Sequence, residues 1–241
     1  DRDGEGVETF EPGGDSERST DAGMNRVVWG RRYEDASRFD GMVFWGGGLN
    51  GPQALPGTYT ARLVIDDDSL QVPFELRLDP RSSATPEDLE AQFTFLREVR
   101  DKVTEVNDAV REVRDLRGQI RSYLARLPES ADADSARAAG EELIERMTAV
   151  EETLYETRNE SRQDPLNYGI NLGNELSALG GTVSRGDFRP TDQAVEYQAE
   201  VTAEIDAELA TLRQVLDVEV PAFNALIRQL ALPIIVPPSD D

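Results

Sequence analysis

The sequence contains no cysteine and no histidine among its 241 residues. Without them the chain cannot form disulfides, zinc sites of the usual Cys/His kinds, or a haem site with a histidine axial ligand. Ser-His-Asp and Cys-His nucleophile systems are also excluded, as is the Glu-x-x-His motif of di-iron bundles. The sequence therefore predicts no cofactor, and most catalytic classes that a motif could identify are ruled out.

Lysine is nearly absent, since Lys102 is the only lysine among the 25 basic residues and the others are arginine. The 48 acidic residues give a formal charge of -23. This excess is spread along the chain, because residues 1–81 carry 16 acids and 9 bases and residues 82–241 carry 32 acids and 16 bases. A distributed negative surface repels phosphate backbones and anionic lipids, which excludes nucleic acid as a partner.

Dispersed acid with almost no lysine is typical of proteins that work in strong salt, where the Debye length falls to a few ångströms. The composition thus predicts a halophilic bacterial source. A GC-rich genome is the alternative explanation, and it accounts for the arginine but not for the charge of -23.

Long apolar runs are missing as well. No run approaches the roughly 20 residues of a membrane helix, so the sequence predicts no membrane insertion. The first ten residues are polar and acidic, lack the order of a signal peptide and contain no starting methionine. They indicate a mature or excised part of a longer protein.

Residues 1–82 contain most of the glycines, both tryptophans and short alternating stretches. Period-two alternation predicts strands over residues 57–65 and 70–78, joined by a hairpin turn at Asp66, Asp67, Asp68 and Ser69. Pro73 on the outward face indicates an edge position or a bulge. Further strands are predicted at residues 25–32 and 42–45, and residues 7–10 are a candidate fifth strand. Short strands with Gly/Pro punctuation favour an antiparallel β-sandwich, whose start could also lie upstream of Asp1.

Residues 83–241 have helical periodicity. Thr85 as N-cap and Pro86 at the first position begin a predicted helix of about 42 residues, which ends before Pro128. Its apolar residues recur at steps of three and four over about five heptads. Three further helices are predicted, over residues 134–159, 170–183 and from 190 onward, the last kinked or restarted at Pro221. Residues 233–241 are predicted to be extended.

Matching apolar stripes on these helices favour an intramolecular bundle over a dimeric coiled coil of the first helix. The predicted fold class is therefore α+β and multidomain. It places a β-sandwich over residues 1–82 and an antiparallel bundle of about four helices, two of them long, over residues 83–241.

Several segments resemble the C-terminal region of a family of large secreted bacterial proteins. They are residues 23–29 (GMNRVVW), Arg32-Tyr33, residues 56–63 (PGTYTARL), 79–81 (DPR), 163–168 (QDPLNY) and 220–226 (VPAFNAL). The family begins with a sortilin-like or Asp-box (bacterial neuraminidase repeat) β-propeller and is often classed as glycosyl hydrolases. This chain differs from the family at Gly30, where the family has Asp.

The resemblance implies an immunoglobulin-like sandwich followed by a helical bundle, with a propeller upstream of Asp1. It implies a secreted or cell-envelope location and the upstream propeller as a partner. Any hydrolase activity would belong to the propeller. No Asp-box of the Ser-x-Asp-x-Gly-x-Thr-Trp type occurs in this chain, so the resemblance assigns no catalytic residue here.

Two weak ligand sites are predicted. Trp45 precedes a glycine-rich segment that ends with Asn50 and Gly51, and an exposed tryptophan beside a flexible loop can stack on a sugar. Packing between domains is the alternative role for Trp45. Asp66, Asp67 and Asp68 offer oxygen ligands for calcium, although they lack the spacing of a calcium loop and a polar turn is the simpler interpretation.

Paired acids on the helices raise the possibility of a glycosidase, which needs two carboxyls about 5 to 9.5 Å apart across a cleft. The pairs are Glu141/Glu142/Glu145, Glu151/Glu152 and Glu156/Glu160. Most lie off the apolar stripes with arginine nearby, which favours a solvated helix face.

The sequence thus predicts a non-catalytic accessory or scaffold region that binds protein or docks domains. The alternatives are a carbohydrate-binding module that uses the Trp45 loop to bind polysaccharide, a carboxylate-only glycosidase, and a homo-oligomer formed through the long helices.

Overall fold

The computed structural model describes residues 6–10 and 23–233. These residues form a mostly helical structure with one two-stranded antiparallel sheet. The elements are β1 (Gly57–Ile65), β2 (Asp68–Leu76), α1 (Pro86–Leu124), α2 (Ala131–Leu154), α3 (Pro165–Tyr168), α4 (Leu172–Val183), α5 (Asp192–Gln214) and α6 (Val220–Gln229), with a π-helical segment (Val215–Glu219) between α5 and α6. Of the predicted extended tail, residues 234–241 lie outside the described residues.

The predicted β-sandwich is wrong for the part of the chain that the structure describes. There β1 and β2 form the only sheet, and residues 7–10, 25–32 and 42–45 are irregular apart from one isolated bridge between Arg32 and Gln53. The physical reason is that several backbone N–H groups in residues 33–51 donate to side chains of the helical region instead of pairing with further strands. Ser37 N–H, for example, donates to Thr104 Oγ1 of α1 at 3.3 Å.

The hairpin itself is confirmed. β1 has the predicted bounds, and β2 begins two residues earlier than predicted because Asp68 and Ser69 pair with Ile65 and Val64. The turn therefore contains only Asp66 and Asp67, and Asp66 takes a left-handed conformation with φ of 50°. Asp tolerates this region better than most residues, which suits a two-residue hairpin turn.

The start of α1 is also confirmed. The Thr85 side chain accepts from Asp88 N–H, and the Asp88 carboxylate accepts from Thr85 N–H in return, so both members of a capping box are present. Pro86 occupies the first turn, where its missing N–H costs no hydrogen bond.

α2 is displaced toward the N-terminus relative to its predicted range. It begins at Ala131, three residues before the expected start at Asp134. Ser130 caps it by accepting from Ala133 N–H. It ends at Leu154 because Tyr155 is extended, with φ of -144° and ψ of 137°. The extended backbone lets the Tyr155 ring meet Phe39 edge-on at 4.8 Å.

Pro221 continues the last helix instead of ending it. A proline removes an N–H and clashes with the carbonyl four residues earlier. The preceding turn widens to π geometry, in which Val220 N–H donates to Val215 C=O five residues back. The widened turn gives the proline ring room, and α6 follows directly.

Three helices, α2, α4 and α5, pack against α1. Arg117 on α1 reaches Thr148 and Glu151 on α2, and Gly173 and Gly180 of α4 lie against Val106 and Val99. α2 and α4 thus run antiparallel to α1 over successive stretches of its length. α5 runs parallel to α1, since Lys102 binds Asp206 and Gln198 binds Glu98.

The predicted apolar stripes form one core along this axis. Its most enclosed members come from every long helix and include Val103, Val106, Val113, Met147, Leu154, Leu176, Ile205 and Val215. Within the described ranges, the helices lack an apolar stretch long enough to cross a bilayer.

Candidate functional site

The glycine-rich loop after Trp45 is fastened to α4. Asn174 accepts from Trp45 N–H at 2.7 Å and donates to Trp45 C=O at 2.8 Å, so one side chain satisfies both backbone groups. Ser177 Oγ donates to Gly48 C=O at 2.9 Å. Asn174 and Ser177 are both buried, which makes these bonds costly to break.

Close packing explains two of the glycines in this loop. A Cβ on Gly47 would collide with Ser177 and the backbone nitrogen of Ala178, and one on Gly51 would collide with the carbonyls of Tyr33 and Glu34. The loop needs glycine because its backbone lies directly on other backbone. The flexible loop expected from the sequence is therefore a packed and hydrogen-bonded one.

A cavity of about 260 Å³ lies beneath this loop. Asn50 lines it and Trp45 does not, so the two predicted ligand residues do not share it. Its two arginines are engaged by the framework, since Arg32 donates to Gly51 C=O and Arg100 to Glu34 C=O, each at 2.9 Å. No carboxylate lines the cavity, so it offers no acid pair for glycoside hydrolysis.

The predicted calcium ligands lie at the tip of the hairpin. Asp66, Asp67 and Asp68 are exposed there. Over residues 6–10 and 23–233, no three Asp or Glu side chains converge in a way that could hold a metal ion. The turn interpretation of these residues agrees with the two-residue turn that the structure shows.

A buried ionic cluster was missed by the sequence analysis. The Glu151 carboxylate accepts from Arg114 Nε at 2.6 Å and from Arg117 Nη2, and only 1% of its side chain is exposed. Arg117 also donates to Thr148 Oγ1 at 2.7 Å. A signal was present, because Glu151 lies four residues after Met147 on the apolar stripe, and Arg114 and Arg117 share one face of α1.

This cluster attaches residues 37–44 to the helices. The Arg114 guanidinium lies 4.7 Å from the centre of the Phe39 ring and donates to Asp40 C=O. Tyr155 Oη accepts from Val43 N–H at 2.9 Å. Burial raises the pKa of Tyr155, so its hydroxyl keeps the proton that it donates to Gly41 C=O. The arrangement is structural, since both oxygens of the buried Glu151 carboxylate are bound by arginine.

Arginine lies near some of the other predicted acids. Arg158 forms a two-point pair with Glu156 and holds the pKa of that carboxyl below its usual value. Glu141 and Glu145 line a shallow surface depression together with Arg121 and Arg137. Of these acids, Glu156 is therefore engaged by arginine, and Glu141 and Glu145 share their depression with two arginines.

The hairpin carries an uncovered apolar face. Its cross-strand pairs Leu63/Leu70 and Ala61/Val72 lie on the same face as Ile65. Leu63 is 55% exposed, Leu70 68% and Val72 62%. Contiguous exposed apolar side chains of this kind mark interaction sites in soluble proteins.

Only the base of the hairpin is anchored. The Trp29 ring lies 5.5 Å from that of Tyr59 and 6.1 Å from that of Phe74. Tyr33 continues this cluster to Phe93 of α1, with ring centres 5.0 Å apart. The anchored base holds the hairpin on the bundle while its outer half, from Ala61 to Val72, projects without a covering element in the described residues.

No protein-family model, curated protein or solved structure matches the chain.

Proposed function

We propose that this chain is a non-catalytic interaction region, in which the helical bundle supports the hairpin and the hairpin binds another protein chain. The observation that carries the proposal is the exposed apolar face of Leu63, Ile65, Leu70 and Val72. A two-stranded hairpin is marginal alone, and burial of such a face against a partner would stabilise both.

The lining of the cavity under the glycine loop and the partners of the most enclosed acid favour a binding role over a catalytic one. Catalytic carboxyls need an open cleft and a second group aimed at the same reacting atom. Here the cavity under the glycine loop has no carboxylate, and the most enclosed acid, Glu151, is bound by two arginines. A propeller-bearing parent protein in the envelope or outside the cell is part of the proposal.

Site-specific photo-cross-linking tests the proposal with a matched control. A photo-reactive residue replaces either Leu70 on the hairpin or Leu166 on α3, two leucines of nearly equal exposure at 68% and 65%. Each variant is made in the producing cells, and mass spectrometry identifies the protein attached to it. We expect adducts from position 70 and few from position 166.

A second variant links the adducts to the apolar face. Leu63→Ser should suppress cross-linking from position 70, because it removes a neighbour on the same face without disturbing the bundle core. Equal yields at positions 70 and 166, or yields unaffected by Leu63→Ser, would overturn the proposal. Turnover of glycosides by the chain alone would also contradict it.

A further inference from the structure

The two outer edges of the hairpin differ in their ability to accept another strand. The turn over Asp66 and Asp67 is hydrogen-bonded, so Ile65 and Asp68 form a hydrogen-bonded pair. Pairs alternate along an antiparallel ladder, and Thr60/Pro73 is therefore a pair whose backbone groups point outward. Pro73 has no N–H to offer, which blocks the outer edge of β2 at its centre.

The outer edge of β1 has no such block. The same alternation directs the N–H and C=O groups of Thr58, Thr60, Arg62 and Val64 outward. All four residues are exposed, and no backbone bond joins them to another segment of the described chain. An unpaired edge of four consecutive donor–acceptor sites is a template for strand addition.

The β1 sequence is complementary to itself in one antiparallel register. With Ala61 opposite Ala61 of a second copy, Thr60 pairs with Arg62 and Thr58 pairs with Val64, so all four outward sites on each strand find a partner. No like charges lie directly opposite each other. In the register that has residue 62 instead of residue 61 on the two-fold axis, Arg62 would oppose Arg62, which is unfavourable. Two-fold symmetry of this kind is the commonest arrangement of homodimers.

The favoured register also keeps the apolar residues together. Odd-numbered residues of both copies share one face, on which Tyr59 lies opposite Leu63 across the two-fold axis. The small Ala61 occupies the axis as a pair without mutual hydrogen bonds, where side chains approach most closely. The two hairpins would form a four-stranded antiparallel sheet with one continuous apolar face.

We infer that the outer edge of β1 pairs with β1 of a second copy of this chain to form a two-fold dimer. This inference goes beyond the proposed function, because strand pairing uses the edge of β1 and leaves the apolar face of both hairpins free for another protein. Each copy carries a charge of -23, so the dimer should weaken at low ionic strength and tighten in salt.

Analytical ultracentrifugation of the full chain in about 1 M NaCl, where the Debye length is near 3 Å, measures the dimer directly. Thr60→Pro removes an outward N–H opposite Pro73, a position where the native hairpin already accepts proline. It should raise the dissociation constant at least about tenfold, since two symmetric hydrogen bonds are lost. Gln71→Pro on the blocked β2 edge is the matched control and should leave the constant unchanged. Circular dichroism confirms that both variants are folded.

A single cysteine tests the register, because the native chain has none. Ala61→Cys places two thiols on the two-fold axis, where Cα atoms of such a pair lie about 4.5 Å apart, within disulfide range. Mild oxidation should give a disulfide dimer from Ala61→Cys and not from Ile65→Cys at the end of the strand.

The outcomes separate this inference from the proposed function. A monomer at all concentrations and salts overturns the dimer, while specific cross-links from position 70 to another protein would leave the proposed function standing. A dimer that resists Thr60→Pro but is lost in Leu70→Ser would pack face to face, which overturns the edge pairing alone. A dimer insensitive to both variants would overturn the edge pairing and would also exclude the apolar face of the hairpin as the dimer contact.

Discussion

Helix α1 and the β-hairpin both carry a continuous apolar stripe, and only the stripe of α1 is covered. Val103, Val106 and Val113 of α1 are each 1% exposed, whereas more than half of the Leu63 and Leu70 side chains of the hairpin face solvent. α1 is covered because α2, α4 and α5 present apolar stripes that together extend along it. The hairpin has Trp29 at its base and no described element over its outer half.

The comparison separates two meanings of an apolar pattern. Periodicity shows which side chains share a face, and it does so correctly for both elements. Whether a covering surface exists within the same chain depends on the other segments. Of the two segments expected to supply further strands, residues 42–45 bond to Tyr155 and Asn174 instead, and residues 25–32 form only an isolated bridge to Gln53 among the described residues.

The largest expected effect is on the ionic cluster inside the covered region. Glu151→Ala leaves the guanidinium groups of Arg114 and Arg117 without their shared carboxylate, and we expect a loss of about 3–5 kcal/mol in the free energy of unfolding. Urea denaturation followed by circular dichroism measures it. Glu152→Ala, which alters an exposed neighbour, is the control and should change stability by less than about 0.5 kcal/mol. Equal losses in the two variants would show that Glu151 does not hold the cluster.

A pair of truncations compares the two stripes directly. Ile205→Ala in the core, where the side chain is fully buried, should cost about 2–5 kcal/mol through lost contacts and a cavity. Leu70→Ala on the hairpin should change the stability of the monomer by about 0.5 kcal/mol or less. Thermal unfolding at low protein concentration measures both. A large loss from Leu70→Ala would mean that the hairpin face is covered within one chain.

The glycine loop should respond to single methyl groups according to its packing. Gly47→Ala places a Cβ into Ser177 and the backbone of Ala178, and we expect a cost of about 1–3 kcal/mol. At Gly48 the added Cβ would meet only Asn50 Nδ2 at 3.6 Å, an ordinary contact, so Gly48→Ala should be nearly neutral. Chemical denaturation of the two variants provides the measurement. The opposite ranking would contradict the attachment of the loop to α4.

The smallest effect concerns the capping box that begins α1. The Thr85 hydroxyl and the Arg189 guanidinium lower the pKa of Asp88 from its ordinary value of 3.8. A lowered folded-state pKa stabilises the fold above pH 3.8, and this contribution is lost as the pH falls through the folded-state pKa. The melting temperature of Asp88→Asn should therefore be below that of the native chain at pH 7, and the difference should shrink in acid. A constant difference across pH would exclude a role for the ionised carboxylate.

Most helical elements could be predicted from local chemistry. Thr85 and Pro86 fixed the start of α1, and Thr191 fixed that of α5, because caps act within one turn. The alternation in residues 57–65 likewise gave β1 with its observed bounds. The strands proposed at residues 25–32 and 42–45 failed because strand formation requires a partner. At residues 42–45 the backbone is hydrogen-bonded to side chains such as Asn174 instead.

The candidate sites depended more on distant segments. The exposure of Trp45 and its separation from the cavity lined by Asn50 follow from how α4 meets the loop, which no spacing along the chain encodes. Pro73 was correctly placed at an edge by its missing N–H. The outer edge of β1 is the open one because the two-residue turn sets the register of the hairpin, and the length of that turn is known only from the structure.

By itself the sequence determined the starts of α1 and α5, the hairpin and the identity of each apolar face, because these rest on contacts within a few residues. The tertiary structure alone decided which apolar face is buried and where Glu151 finds its two arginines. It also decided that α2 and α4 share the length of α1. Burial and charge pairing are set by residues far apart in the chain, and their free energies depend on the whole arrangement rather than on any local pattern.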